Sequence, residues 1–204
     1  ELLGIVIDAT GDQVYLSASD LETASKSHFQ AEIKDAGKVL VPGKLLAEIS
    51  RSLPNKPITF ALDGTRVLVT SGSAKFTLPT LSVDEYPNLP ELPDTTGTLA
   101  SDVFATAVSQ VAIAAGRDDS LPTLTGVHVE INEETVTLAA TDRYRLAVRE
   151  IQWDPTTPNV STSALLRART IADAAKSLTG TKTVSISFAP SSSNDRLAGF
   201  AGDG

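Results

Sequence analysis

Leu3–Ala24, LGIVIDATGDQVYLSASDLETA, and Thr125–Leu146, TGVHVEINEETVTLAATDRYRL, are one passage written twice. Aligned without a gap, Gly4 falls on Gly126, Val14 on Val136, Leu16 on Leu138, Ala18 on Ala140 and Asp20 on Asp142. Further along, Leu40–Leu53 (LVPGKLLAEISRSL) lies over Leu165–Leu178 (LLRARTIADAAKSL), so that Lys44 meets Arg169, Glu48 meets Asp173 and Arg51 meets Lys176. Apolar matches arise easily between buried strands. Three charges that keep sign and spacing on a helix do not. A period above ~100 residues is too long for a solenoid and fits a duplicated globular domain.

Leu2–Ala9 and Gln13–Ala18 are β-rich runs around a Thr-Gly-Asp turn, repeated at Gly126–Ile131 and Thr135–Ala140. Lys38–Val41 reads as a strand and Lys44–Leu53 as a helix burying Leu45, Leu46, Ile49 and Leu53 on one face. Ile58–Leu62, Arg66–Thr70 and Lys75–Leu78 read as strands, and Ser101–Gly116 as a helix. Tyr86–Gly97, with its repeated prolines, reads as an extended linker. These elements predict an α+β fold with helices on one sheet face, a first domain at 1–93 and a second at 94–204. The first copy lacks a counterpart of the Ser101–Gly116 helix, the second stops soon after Gly202, and methionine is absent. The chain therefore reads as an internal piece of a longer protein.

Composition narrows the function. No apolar run reaches the ~18–20 residues of a membrane span, and no signal-peptide pattern opens the chain, so a cytoplasmic location is the default expectation. With no cysteine there are no disulfides or thiolate metal sites. A net charge of −8 argues against a surface coated in nucleic-acid-binding cations but allows positive charge confined to one face. His128, between Val127 and Val129, is expected to point out of its strand. The stretch Gly37–Lys44 has five residues between its glycines where a phosphate loop needs four, and Leu45 where the hydroxyl belongs. Asp20 and Asp142 occupy equivalent turns, which favours a structural role. No catalytic set, metal site or cofactor site assembles, and an enzyme with a site between the domains is the weakest reading.

Three features carry chemistry. Lys44 with Arg51, and Arg169 with Lys176, project from one side of their helices. They are either solvated charges neutralised by Glu48 and Asp173 or a shared positive surface able to hold a phosphate backbone without reading sequence. The loop Gly116–Pro122, with Arg117 and Asp118, is either a plain helix stop or part of that surface. Thr141-Asp142-Arg143-Tyr144-Arg145-Leu146, with Leu124, is either ordinary strand packing or the wall of an apolar groove for a partner peptide.

Four pieces of this sequence, Ala140–Ala147 (ATDRYRLA), Gln110–Asp118 (QVAIAAGRD), Lys75–Leu81 (KFTLPTL) and Glu85–Leu89 (EYPNL), resemble the bacterial sliding clamp, the beta subunit of DNA polymerase III. The form of the first two is most similar to clamps from actinobacteria, and the resemblance covers nearly the whole chain. It implies duplicated clamp domains, helices on the inner face and antiparallel sheets on the outer face, in a head-to-tail homodimer that closes round duplex DNA. It implies a non-catalytic processivity factor without cofactors, whose partners are double-stranded DNA and, through short peptide motifs, the replicative polymerase, clamp loader and repair proteins. Lys44, Arg51, Arg117, Asp118, Arg169 and Lys176 would face DNA. Leu124, Thr141, Arg143, Tyr144, Arg145 and Leu146 would form one wall of the peptide groove, with Arg143-Tyr144 where the enterobacterial pattern has Gly-His. Lys75, Phe76, Thr77 and Leu78 would form the dimer edge. The alternative is a duplicated α+β protein-binding scaffold that does not encircle DNA.

Overall fold

The first unit, Glu1–Pro90, is built on an antiparallel sheet whose first three strands are neighbours in sequence. In the computed structural model, which describes residues 4–20, 22–83, 86–87, 89–189 and 197–203, β1 (Gly4–Thr10) and β2 (Gln13–Ser19) pair across Gly11-Asp12. β3 (Ala24–Gln30) continues the sheet beside β2, and β4 (Gly37–Pro42) returns to β1, giving the order β3-β2-β1-β4. α1 (Gly43–Ser52) follows, then β5 (Thr59–Asp63), β6 (Arg66–Ser71) and β7 (Ala74–Pro79) as a three-stranded sheet. Leu46 and Ile49 of α1 bury against Val41, Val67, Val69 and Leu78. The trailing segment is fastened to the first sheet. Leu81 bridges Leu40, and the Tyr86 hydroxyl accepts from the Ser19 N–H at 2.7 Å and donates to the Gly4 carbonyl at 3.0 Å.

The second unit, Glu91–Gly204, repeats this plan with more cover. β8 (Thr95–Ala100) leads into α2 (Ser101–Ala112). β9 (Gly126–Asn132), β10 (Thr135–Thr141) and β11 (Leu146–Gln152) form the meander, β12 (Asp154–Pro155) pairs with β8, and β13 (Ser161–Arg167) returns to β9. The order β11-β10-β9-β13 is that of the first unit. α3 (Ala168–Ser177) and a 3-10 turn precede β14 (Thr183–Phe188) and β15 (Ala198–Gly202), which join β8 in the order β12-β8-β14-β15. Phe104, Val108 and Val111 of α2 and Ile171 of α3 close over Val127, Val129, Leu138, Val184 and Ile186, all at most 1 % exposed.

The repeated glycine has a steric reason. Gly4 stands opposite Pro42, and a Cβ there would lie 2.6 Å from Leu40 Cδ1. Gly126 stands opposite Arg167, and its Cβ would lie 2.6 Å from Leu165 Cδ1. Leu40 and Leu165 are themselves equivalent in the duplication. In both units, then, a leucine of the returning strand lies diagonally over a glycine that must have no side chain.

Two expectations need correction. Thr95–Gly97, placed in the linker, opens β8, because its backbone bonds to β14 whatever its composition. The Ser101–Gly116 helix stops at Ala112, and Ala114 and Ala115 continue as tight turns. Ala24–Gln30, whose sequence carries no strand signal, is a full strand although every residue in it is exposed. Leu2 and Leu3, expected to begin the first strand, and Glu85 and Asn88 of the Glu85–Leu89 piece lie outside the described residues.

Candidate functional site

On α1, Lys44, Glu48 and Arg51 are exposed on the side away from Leu46 and Ile49. On α3, Arg169, Asp173 and Lys176 are exposed away from Ile171 and Ala175. The neutralisation at i+4, one of the two readings left open by the sequence, does not form among the described residues. Among the described residues none of these four cations makes an ion pair. A cation placed N-terminal to its acid is the less favourable order on a helix. Arg51 and Lys176 sit in last turns, where the helix dipole favours them. Lys44 and Arg169 sit in first turns, where it does not, and neither first turn carries an acid. The same small electrostatic cost thus recurs at two equivalent positions.

The second cluster joins two segments distant in sequence. Beyond α2 the chain folds into a compact loop closed by the Gly116 N–H donating to the Leu124 carbonyl at 2.7 Å. Inside it, Asp118 Oδ1 accepts from the Ser120 hydroxyl at 2.6 Å and the Ser120 N–H at 3.0 Å, which hold its carboxyl below the ordinary range with help from the nearby Arg143 charge. Opposite stands the turn between β10 and β11. Asp142 Oδ1 accepts from the Tyr144 and Arg145 N–H groups at 3.1 and 3.0 Å, and Oδ2 from Arg145 Nε at 2.9 Å. Partial desolvation acts to raise the Asp142 pKa, but these donors and the Arg145 charge outweigh it, leaving it below the ordinary value. The Thr141 hydroxyl donates to the Arg145 carbonyl at 2.7 Å.

Loop and turn together line an open depression of about 240 Å³, with Ala115, Leu121 and Leu124 at its apolar base and Arg117, Asp118, Arg143 and Arg145 around it. Tyr144 is 91 % exposed and Leu146 68 %. The two sets expected to face DNA and a peptide thus meet: Arg117 and Asp118 share one depression with Leu124, Arg143, Tyr144 and Arg145. Thr141 and Leu146 flank it at the strand ends that carry the turn. Sequence reasoning missed Leu121 as part of this base. Its only local signal was an apolar residue inside a polar loop.

Comparison with known proteins places this architecture. The family profile for the DNA polymerase III beta subunit N-terminal domain matches residues 2–90, and that for its central domain matches residues 98–201. The chain belongs to the DNA polymerase III beta subunit family. A Streptomyces coelicolor protein named Beta sliding clamp is 51 % identical over 203 residues, covering 100 % of this chain and 54 % of that protein. The chain therefore spans about half the length of that relative. The Thermotoga maritima DNA polymerase III beta subunit crystal structure superposes with a TM-score of 0.86 at 25 % identity, covering 99 % of this chain and 54 % of that one. A Pseudomonas aeruginosa sliding clamp bound to griselimycin superposes with a TM-score of 0.81 at 27 % identity, covering 91 % and 51 %. The expected sliding-clamp fold is confirmed, with the duplicated α+β domains read from the sequence.

Within this clamp fold, the expected dimer edge is β7. It pairs with β6, and its other side carries no ladder partner among the described residues. Lys75 and Thr77 are exposed there, Phe76 is half-buried and Leu78 is fully buried. No helix among the described residues is long and apolar enough to cross a membrane.

Proposed function

We propose that this chain is the first and second domains of a ring-shaped, non-catalytic sliding clamp that encircles duplex DNA and tethers the replicative polymerase and other partners by short peptides. The observation that supports this reading, beside family membership, is the recurrence of exposed cations at Lys44, Arg51, Arg169 and Lys176 on two equivalent helices, none in an ion pair among the described residues. Sparse, sequence-indifferent contacts to phosphate suit a ring that slides, because every step along the duplex costs the same. An acidic chain adds to this, since dense cations would act as a brake.

The depression beside Leu124, Arg143 and Tyr144, with Thr141 and Leu146 at its border, is the peptide-binding wall in this proposal, and the griselimycin-bound relative supports a small-ligand groove in the family. The unpaired side of β7 contributes to head-to-tail pairing of two full-length subunits. The decisive experiment uses full-length protein loaded on nicked circular DNA. Retention on circles and release on linearisation are expected. Equal retention on both would replace encirclement with ordinary binding, as in a duplicated scaffold. Leu146→Asp in the full-length protein is expected to abolish binding of partner peptides while leaving ring retention intact. Unchanged peptide affinity in a titration would remove Leu146 from the groove.

A further inference from the structure

Each of the two cation-bearing helices also carries an acid inside its row of positive charge. Glu48 lies four residues after Lys44 and three before Arg51, and Asp173 stands in the same relation to Arg169 and Lys176. At 100° and 1.5 Å per residue, each set of three falls within an arc of about 60° and along about 10 Å of helix axis. All six residues are exposed, while Leu46, Ile49, Ile171 and Ala175 bury the other side of their helices. Neither carboxylate forms an ion pair or a side-chain hydrogen bond among the described residues. Both lie in mid-helix, beyond the first turn where the dipole favours an acid. The order cation, acid, cation thus occurs with one spacing on two equivalent helices, and in neither is the acid tied to its neighbours.

We propose that Glu48 and Asp173 are repulsive spacers, which limit how tightly the cations beside them hold DNA and so set the speed of sliding. The inference rests on the encirclement reading and deepens it. Along the axis each acid is offset from its cations by about 4–6 Å. That is shorter than the Debye length of about 8 Å at physiological salt, so a phosphate drawn to either cation meets the field of the carboxylate before salt screens it. Each phosphate contact becomes shallower, and a shallower contact breaks sooner as the duplex advances. The repulsion is equal at every phosphate, so it changes speed without creating a sequence preference.

The test uses fluorescently labelled full-length protein loaded on linear DNA with blocked ends, its diffusion followed by single-molecule tracking at low and high salt. Glu48→Gln combined with Asp173→Asn is expected to diffuse about threefold more slowly than wild type at low salt, with the difference closing as salt rises. The control is Glu130→Gln combined with Glu150→Gln. These two exposed acids flank Thr137 on the sheet face opposite Val136 and Leu138, which share a core with α2 and α3. Removing the same charge there should leave the diffusion of wild type. Three results would overturn the proposal and leave encirclement standing: unchanged diffusion in the Glu48 and Asp173 variant, a slowing that salt does not reduce, or an equal slowing in the control. If wild type is not retained between the blocked ends, the encirclement reading falls, and this inference with it.

Discussion

Asp142 does in one residue what several would otherwise share: it stops a strand, turns the chain and places two arginines. Its carboxylate must be ionised to accept three donors at once, and its pKa lies below the ordinary 3.8. A depressed pKa means that the folded state holds its proton less tightly than the unfolded state. The contribution is therefore complete above 3.8 and disappears as pH falls through the lower folded value. Amide protection factors at Tyr144 and Arg145 are expected to be flat from neutral pH down to that range and to drop below it. Asp142→Asn should abolish this pH dependence, and a drop that survives the substitution would assign it elsewhere. Asp20, which accepts from the Thr23 hydroxyl and from the Thr23 and Glu22 N–H groups, turns the first unit in the same way. The structural role expected for this equivalent pair is the one observed, and it was legible because the duplication showed it twice. The φ of +80° at Arg143 was not legible, since nothing in a TDRYRL string marks a left-handed residue.

At the scale of elements, what could be read and what could not divide along a physical line. α1 and α3 were legible because their buried faces follow helical spacing and their charges repeat. β1, β2, β9 and β10 were legible because tight turns and alternation bound them. β3 and β8 were not. Ala-Ser-Lys-Ser-His-Phe-Gln has no apolar face, and the strand exists because its backbone completes the ladder of β2 from Gln13 to Ser19. The depression was half legible. Each of its segments drew notice, but only the fold shows that the loop after α2 and the turn after β10 are neighbours. Gly4→Ala must displace Leu40, which is 4 % exposed and has nowhere to go, and should cost about 1–3 kcal/mol in chemical denaturation. Gly126→Ala meets Leu165, which is 49 % exposed and can swing outward, so it should cost less than Gly4→Ala. Equal or inverted costs would show that the leucine contact is not what excludes a side chain.

Across the whole molecule, the two units share a plan but not a covering. In the second, β8 pairs with β14, and Val184, Ile186 and Phe188 on β14 are buried. In the first, β5 has no strand on its outer side among the described residues, and Ile58, Phe60 and Leu62 are 48, 44 and 61 % exposed. Apolar residues in alternation on an open edge are an aggregation hazard unless something covers them. A further strand standing beside β5 as β8 stands beside β14 is expected to do so in the full-length protein. Phe60→Ser should then be close to neutral for the stability of the 204-residue chain. In the full-length protein it should cost about 3–5 kcal/mol. Equal costs in the two settings would show that β5 stays open in both.

The glycine–leucine contact has one more consequence, for how such a chain can change over time. In the first unit neither partner is free to drift alone, since a methyl gained on β1 demands bulk lost on β4, whereas at the β9–β13 pairing the exposed Leu165 can give way. Gly4→Ala combined with Leu40→Val should therefore be less harmful than the two single changes added together, a thermodynamic coupling readable in a double-mutant cycle. Divergence is then expected to proceed by joint replacement at the β1–β4 seam and by single changes at the β9–β13 seam.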